Sequence, residues 1–378
     1  MELNYNFISL LDTVGVVQGA TLGVLLIILN KRKYKSTFFL GTLLILFALQ
    51  RIPLILKDLD FYTYYPNFFR LPFNFFWLLF PVFFVYTQQV SVFSERNTKY
   101  WVLYPGIIAF FVQFVIFLLP YPSKVIIDGH PAFQFFIISG IFYSWTIGVW
   151  NLKLLHRHKI EVNNYFSMAA SKEMRWARLF LFVFLVGSVL YIVQFYIVPE
   201  NIYSRVFFLV FDLTIIYWLS FYGVVQRNVR SLIAKKEHYA SESKSLDNEN
   251  RVSPMILENR KTLIKKIDAY MVSSESFIHT ELTIIDIAEK LKVHPRRISV
   301  AINSIYHQNF NSYVNQFRIK KAELLLADEN LNNLSIEGIG LEVGFHSKSA
   351  FYSAFKKITG TTPSNFKKKA VQSFHNHQ

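Results

Sequence analysis

Apolar residues are distributed in two different ways along this chain. Between Phe7 and Val225 they form long blocks of Phe, Leu, Ile, Val, Tyr and Trp; from Gln226 onward they recur at helical spacing in a polar background. The blocks fall at 13–29, 38–56, 71–90, 101–119, 132–152, 179–198 and 206–225. Each has about the 17–25 residues that a helix needs to cross ~30 Å of hydrocarbon. The pattern predicts seven membrane-spanning helices, with Pro53, Pro72 and Pro81 kinking theirs.

The loops between blocks alternate in charge. Lys31, Arg32, Lys33 and Lys35 follow the first span, and Arg96 and Lys99 the third. Lys153, Arg157, Lys159, Lys172, Arg175 and Arg178 follow the fifth, and Arg227, Arg230, Lys235 and Lys236 the seventh. The intervening loops carry little beyond Lys57, Lys124 and Arg205, offset in part by Asp58, Asp60, Asp128 and Glu200. Basic loops stay in the cytoplasm. This predicts an N-terminus outside and a C-terminus in the cytoplasm, which an odd number of spans requires.

Polar residues inside the spans are the candidate chemistry of this region. Asp212 lies in span seven, Arg51 near the outer end of span two, and Gln113 and Gln194 in spans four and six. An intramembrane carboxylate belongs in a bundle interior or a water-filled cavity. Asp212 is thus a candidate intramembrane switch, paired with Arg51 or Arg70. The alternative is a structural aspartate, with the arginines snorkelling to the interface.

Residues 226–255 are polar and read as a juxtamembrane linker. Val225, Val229, Leu232 and Ile233 could continue span seven as a stalk and leave a homodimer contact open. Beyond it, Leu263, Ile264, Ile267, Tyr270 and Met271 predict an opening helix. Thr283 and Asp286 form a capping-box pattern before a helix over 284–291. A turn at Lys292-Val293 leads to Pro295 in the first turn of a helix over 295–305, where its missing N–H costs nothing. A long helix over 311–326 follows, with Tyr313, Val314, Phe317 and Leu324 inward. Ser335 caps 336–343, which Gly344 ends. Ser347 caps 348–358, with Phe351, Phe355 and Ile358 inward, stopped by Gly360 and Pro363.

These helices make two helix-turn-helix units, and their residues resemble the AraC/XylS-type family of bacterial transcription regulators. The most specific stretch runs from Ile339 through Gly340, Gly344, Phe345, Phe351 and Phe355 to Gly360 and Pro363. Phe310, Tyr313, Phe317, Arg318, Ile319 and Ala322 match the family's connecting helix. The resemblance covers about residues 263–368 and says nothing of the spans. Two features depart from it: Lys292 and His294 stand where a glycine and a capping Ser or Thr are usual. Gly338 and Gly340 inside a helix each cost ~1 kcal/mol relative to Ala, which suggests a less rigid domain.

The resemblance implies two recognition helices in successive major-groove segments. Carried over position by position, the base-contact candidates are Arg296, Ser299 and Val300, then Lys348, Ser349 and Tyr352; Arg297 is added on helix geometry. Lys356, Lys357, Lys367 and Lys368 are phosphate-contact candidates, which strengthen binding without reading sequence. Arg318 is expected to be structural. For any one of these side chains, a solvated face is the alternative.

Composition supports the division. The net charge is +15. Up to Val225 there are 17 Lys and Arg against 10 Asp and Glu, mostly in loops; after it there are 23 against 15, which suits a polyanionic partner. With no cysteine, a disulfide scaffold and a thiolate metal site are excluded. The basic cluster follows the first apolar block, unlike a cleavable signal peptide. No phosphate loop, zinc-ligand set or nucleophile elbow is present, so no catalytic or metal residue is assigned, no cofactor is expected, and the chain reads as a non-enzyme. His156 and His158 flank a juxtamembrane arginine and suit anionic lipid head groups.

The sequence thus predicts an all-α protein. A seven-transmembrane sensor region (1–225) and a linker (226–255) lead to a cytoplasmic DNA-binding domain (256–370) of two helix-turn-helix units joined by a long helix, with a disordered tail (371–378). Its expected place is the bacterial inner membrane. Its expected partners are double-stranded DNA, the lipid bilayer, an unknown signal ligand and a second copy of itself. The rival reading is a transporter or membrane receptor whose tail serves regulation or protein interaction.

Overall fold

A computed structural model describes residues 6–28, 35–93, 98–169, 172–197, 201–225, 254–328 and 334–375. Among them every regular element is a helix. The chain divides into two compact units: 1–158 with 174–230, and 159–173 with 231–378. The expected stalk beyond Val225 lies outside the described residues.

The first unit contains α1 (Phe7–Ile28), α2 (Lys35–Asp58), the short α3 (Phe61–Tyr64), α4 (Phe76–Val90), α5 (Tyr104–Leu118), α6 (Tyr121–Gly129), most of α7 (Pro131–Tyr165), α8 (Arg175–Tyr196) and α9 (Ile202–Val225). Among the described residues, six helical stretches are long and apolar enough to cross a membrane: Phe7–Ile28, Ser36–Asp58, Tyr100–Leu118, Pro131–Tyr165, Arg175–Gln194 and Ile202–Tyr222. The expected third span is shorter than its apolar block. Pro72 lies outside any helix, and Asn74 Oδ1 accepts the Phe76 N–H at 3.3 Å, so α4 begins only at Phe76. Its 15 residues reach ~22 Å. Apart from Phe76, Trp77, Leu78 and Gln89, every one of its residues is buried. The high apolarity of this block therefore reflects a core position as well as length.

Around α4 lies a stack of rings. Phe80 stacks on Phe184 at 4.5 Å between centroids, and Phe83 meets Phe180 edge-on at 4.7 Å. α1 and α2 cross closely, because a Cβ on Gly23 would stand 2.7 Å from the Gly41 carbonyl oxygen. Small residues at such crossings let membrane helices approach.

α7 overruns its apolar block by more than three turns. Asn151, Leu155, His158 and Val162 recur at helical spacing and are all fully buried, which carries the helix through an otherwise basic stretch. His158 Nδ1 accepts the Val92 N–H at 3.2 Å. That corrects its expected role at lipid head groups; His156 and Arg157 remain exposed. α6 also was not foreseen. Its Lys124 is buried and donates to the Asn67 carbonyl at 2.5 Å.

The second unit holds α10 (Pro254–Ser274), α11 (Ile284–Leu291), α12 (Pro295–Tyr306), α13 (Phe310–Ala327), α14 (Ile336–Glu342), α15 (Lys348–Thr359) and α16 (Pro363–His375). α10 to α12 and the start of α13 enclose one core around Ile267, Ile287, Ile298 and Val314. The rest of α13 with α14 to α16 encloses another around Ile319, Ala322, Ile339 and Phe351. Asp268 fastens the opening helix: it accepts hydroxyl hydrogen bonds from Tyr306 (2.6 Å) and Tyr313 (2.7 Å).

Two expected core residues are outside. Leu324 is 69% exposed, two positions out of phase with Ala322 and Leu326, and Ile358 near the end of α15 is 41% exposed. α16 continues to His375, past the expected start of a disordered tail at 371.

Candidate DNA interface and membrane cavity

The first helix-turn-helix is built by its caps. Thr283 Oγ1 accepts the Asp286 N–H at 3.3 Å while Asp286 Oδ2 accepts the Thr283 N–H at 2.8 Å. Lys292 ends α11 in the left-handed conformation (φ 52), which explains why glycine suits that turn. His294 replaces the usual hydroxyl cap, since its Nδ1 accepts the Arg296 N–H at 3.2 Å. α12 then buries Pro295, Ile298, Ala301 and Ile302. Arg296, Arg297 and Val300 are exposed and Ser299 is half-buried. Asn303 donates to the Ser299 carbonyl at 2.9 Å.

In the second unit, Ser335 and Ser347 cap α14 and α15 by accepting the Gly338 and Ala350 N–H groups. Gly344 (φ 97) ends α14 with paired bonds, its own N–H to the Leu341 carbonyl (3.0 Å) and that of Phe345 to the Gly340 carbonyl (2.9 Å). A Cβ at Gly344 would lie 2.5 Å from the Ile278 carbonyl oxygen, so this turn also abuts the first core's rim. Gly340 has a packing reason rather than a flexibility reason, since its Cβ would stand 2.8 Å from the Phe351 ring.

α15 buries Phe351 and Phe355 and exposes Lys348, Ser349, Lys356 and Lys357. Lys348 is ion-paired to Glu337 and lies 5.6 Å from the Tyr352 ring centroid. Each partner holds the other's charge: Glu337 sits below the usual carboxylate range and Lys348 above the usual ammonium range. Tyr352 is half-buried and shares a 3.1 Å hydrogen bond with Ser364. On α16 Lys367 is half-buried and Lys368 exposed.

Arg318 is the joint of this unit. Only 2% exposed, it donates to the carbonyls of Phe277 (2.6 Å) and His279 (2.9 Å) and to Ser167 Oγ (3.3 Å). Burial pushes its pKa down to about 10, still far above neutrality.

In the first unit Asp212 pairs with Arg51, not Arg70. Arg51 donates to Asp212 at 2.6 Å and, through Nε and a terminal nitrogen, to Asp12 at 3.0 and 2.5 Å. At 12% exposure its side chain does not snorkel. Asp12 falls inside α1, which begins at Phe7, six residues before the expected span. Arg70 pairs instead with Asp128, and Arg205 with Asp58. A cavity of about 240 Å³ opens beside this network, lined by Asp12, Arg51, Tyr191, Gln194 and Arg205 among others. Gln113 lies elsewhere, donating to the Asn74 carbonyl at 3.0 Å. Among the described residues no group of three His, Cys, Asp or Glu side chains could hold a metal ion.

Asp12, Glu337 and the stretch around Ser167 were not among the residues the sequence singled out. Asp12 had a signal, an acid immediately ahead of an apolar block. Glu337 and Ser167 had none, because their partners are remote or on another helix.

A family profile described as a helix-turn-helix domain matches residues 287–369. The melibiose operon regulatory protein of Escherichia coli K12 is 33% identical over 91 residues, 24% of this chain and 29% of that protein. The Msm operon regulatory protein of Streptococcus mutans is 32% identical over 104 residues, 26% of this chain and 36% of that protein. The chain thus spans about a third of the length of these relatives. Among solved structures, the C-terminal domain of AraT, a response regulator from Geobacillus stearothermophilus, is 29% identical, covers 32% of this chain and 88% of that one, and aligns with a TM-score of 0.23.

Proposed function

We propose that this chain, whose C-terminal domain is an AraC-type helix-turn-helix domain, is a membrane-anchored bacterial transcription regulator. The observation that carries the reading is the pairing of two capped helix-turn-helix units, their basic faces exposed, with six helices of membrane-crossing length. α12 and α15 each enter a major-groove segment. Arg296 and Arg297 read guanine bidentately, while Ser299, Val300, Ser349 and Tyr352 shape the contact. Lys348 exchanges Glu337 for a base edge. Lys356, Lys357, Lys367 and Lys368 take phosphates.

The membrane unit receives the signal at the cavity beside Arg51, where Asp12 and Asp212 compete for one guanidinium. An ionisable cluster inside a bundle is a functional site by default. The N-terminus lies outside and the DNA-binding domain in the cytoplasm of the inner membrane, as the basic loops direct; this takes the short apolar α4 as a seventh crossing beside the six longer helices. The chain acts by binding, not catalysis.

Two measurements test this reading. A topology reporter fused after Gln378 is expected to be active only as a cytoplasmic fusion; periplasmic activity refutes the reading. The full chain in lipid nanodiscs is expected to bind duplex DNA with an affinity that falls steeply with salt. Salt-independent binding, or none, refutes it as well.

A further inference from the structure

The last two turns of α7 and the chain that follows belong to the second compact unit, which contains residues 159–173. These residues are seated on the first helix-turn-helix through backbone, side-chain and ionic contacts. Phe166 forms an antiparallel bridge with Thr283. The Ser167 amide and hydroxyl both donate to the Leu282 carbonyl, at 3.0 and 2.6 Å. The Ser167 carbonyl accepts from Asn311 Nδ2 at 2.5 Å, and its hydroxyl accepts from Arg318 at 3.3 Å. Every polar group of one serine is thus used. Phe166 and Ser167 are each 2% exposed, and Tyr165 packs against the first core.

The segment is also stapled to itself and to the surface beneath. Asn163 donates to Glu173 at 3.0 Å across its base. Lys172 pairs with Glu281 at 2.7 Å and lies 4.9 Å from the Phe166 ring centroid. So many satisfied buried polar groups in one short stretch specify a single arrangement.

What it touches gives the contact its meaning. Thr283 caps α11, Asn311 opens α13, and Arg318 ties the 277–279 carbonyls to α13 beside the Phe345 ring. None of these is a DNA-contact candidate, so the segment occupies a second face of the domain and leaves α12 and α15 uncovered.

We infer that this surface (Leu282, Thr283, Asn311, Arg318 and Glu281) is a built-in receptor for Tyr165, Phe166, Ser167 and Lys172 of the same chain, and that this docked segment is the input to the DNA-binding domain. Both its ends run into helices of membrane-crossing length, α7 and α8. A shift of either helix loads the α11 cap and the Arg318 joint, and so alters how the two helix-turn-helix units present themselves. Input of this kind acts by orientation and not by occlusion: the segment and DNA bind together. The consequence rests on the function proposed above; the contact does not.

The absence of native cysteine allows a background-free test. Antiparallel neighbours have Cα atoms about 4.5–5.5 Å apart, within the ~4.4–6.8 Å a disulfide spans. The full chain carries Phe166→Cys and Thr283→Cys, with a protease site inserted between residues 235 and 250. In oxidised membrane vesicles, cleavage is expected to leave one disulfide-linked species that separates into two on reduction. A control pair, Phe166→Cys with Lys357→Cys, is expected to stay unlinked. Failure of the first pair to link, or equal linking of both, overturns the docking.

The linked protein is then expected to keep DNA affinity within about tenfold of the reduced form. A larger loss means occlusion and overturns the input mechanism. If the bridge forms but neither form binds DNA, the docking stands and the proposed function fails. A charge exchange gives a second test should the cysteine pair fold poorly. Lys172→Glu and Glu281→Lys should each increase proteolysis at the 159–173 segment, and the double exchange should restore protection; no change in either single variant counts against the contact.

Discussion

The two halves of this molecule put opposite residues on their surfaces. In the first unit Phe111 and Phe182 are 59% and 60% exposed while Asp12 is 4% exposed. In the second unit Ile267, Ile298 and Phe351 are fully buried and the lysines of α15 stand outside. Each half suits one solvent. Hydrocarbon tolerates the first surface because backbone groups are satisfied within helices, and water supports the second because burying apolar area drives folding. The difference teaches where polarity carries meaning: in the bundle a charge inside is the exception that points to function, and in the domain a charge outside is ordinary until a fold aims it at a ligand.

This contrast can be broken most forcefully at Arg51. Arg51→Leu leaves Asp12 and Asp212 without their cation, and removing one partner of a buried pair typically costs about 3–5 kcal/mol. We expect a large fall in thermal stability of the purified chain in lipid, largely restored when Asp12→Leu and Asp212→Leu are added. A single variant as stable as the parent would mean that the network is solvated and not structural.

At Gly344 the matching experiment is in the soluble half. Gly344→Ala forces a side chain into φ 97 and against the Ile278 carbonyl. The conformational strain costs about 1–2 kcal/mol, and crowding a close-packed site adds about 1–3. Denaturant unfolding followed in the second unit should show the loss, with the bundle's unfolding unchanged.

Smaller effects separate reading from holding. Arg296→Ala is expected to weaken binding to the preferred sequence by about 1–3 kcal/mol and to relax preference at one base pair. Lys357→Ala should weaken all sequences alike and reduce the salt slope by about 1. Equal effects on preferred and random DNA for both variants would remove Arg296 from base reading. At the small end, Thr283→Ala removes a capping-box hydroxyl at a cost of about 1 kcal/mol. It should loosen amide protection in α11 without touching the bundle.

The same difference in surface decides what could be read in advance. In the second unit water leaves explicit punctuation. Thr283, Ser335 and Ser347 caps, Pro295 and the Gly344 and Gly360 stops placed α11, α12, α14 and α15 within about a residue of their observed ends. Even there, Leu324 misled, because an apolar residue on a helix need not be in phase with the core. In the first unit the apolar blocks located helices but carried no phase, so they could not separate the buried helix α4 from helices with exposed apolar faces. The basic composition after Leu152 hid the buried face that extends α7.

Of the site, the exposed residues of α12 and α15 were legible through family resemblance. Their partners were not: the Glu337 pair on Lys348, the Asp12 arm of the Arg51 network and the Ser167 contacts all join residues distant in sequence or on separate elements. The Asp212–Arg51 pair was legible as one of two options, because buried opposite charges have few places to go.

One measurement bears most directly on the account, that a membrane-embedded chain reads DNA sequence through α12 and α15. The full-length protein in nanodiscs is presented with random duplexes, and bound sequences are recovered over several rounds beside an Arg296→Ala, Ser349→Ala double variant. The parent protein is expected to converge on one motif, whose information falls at distinct positions in the double variant. Recovery of unenriched random sequence by the parent protein would contradict it.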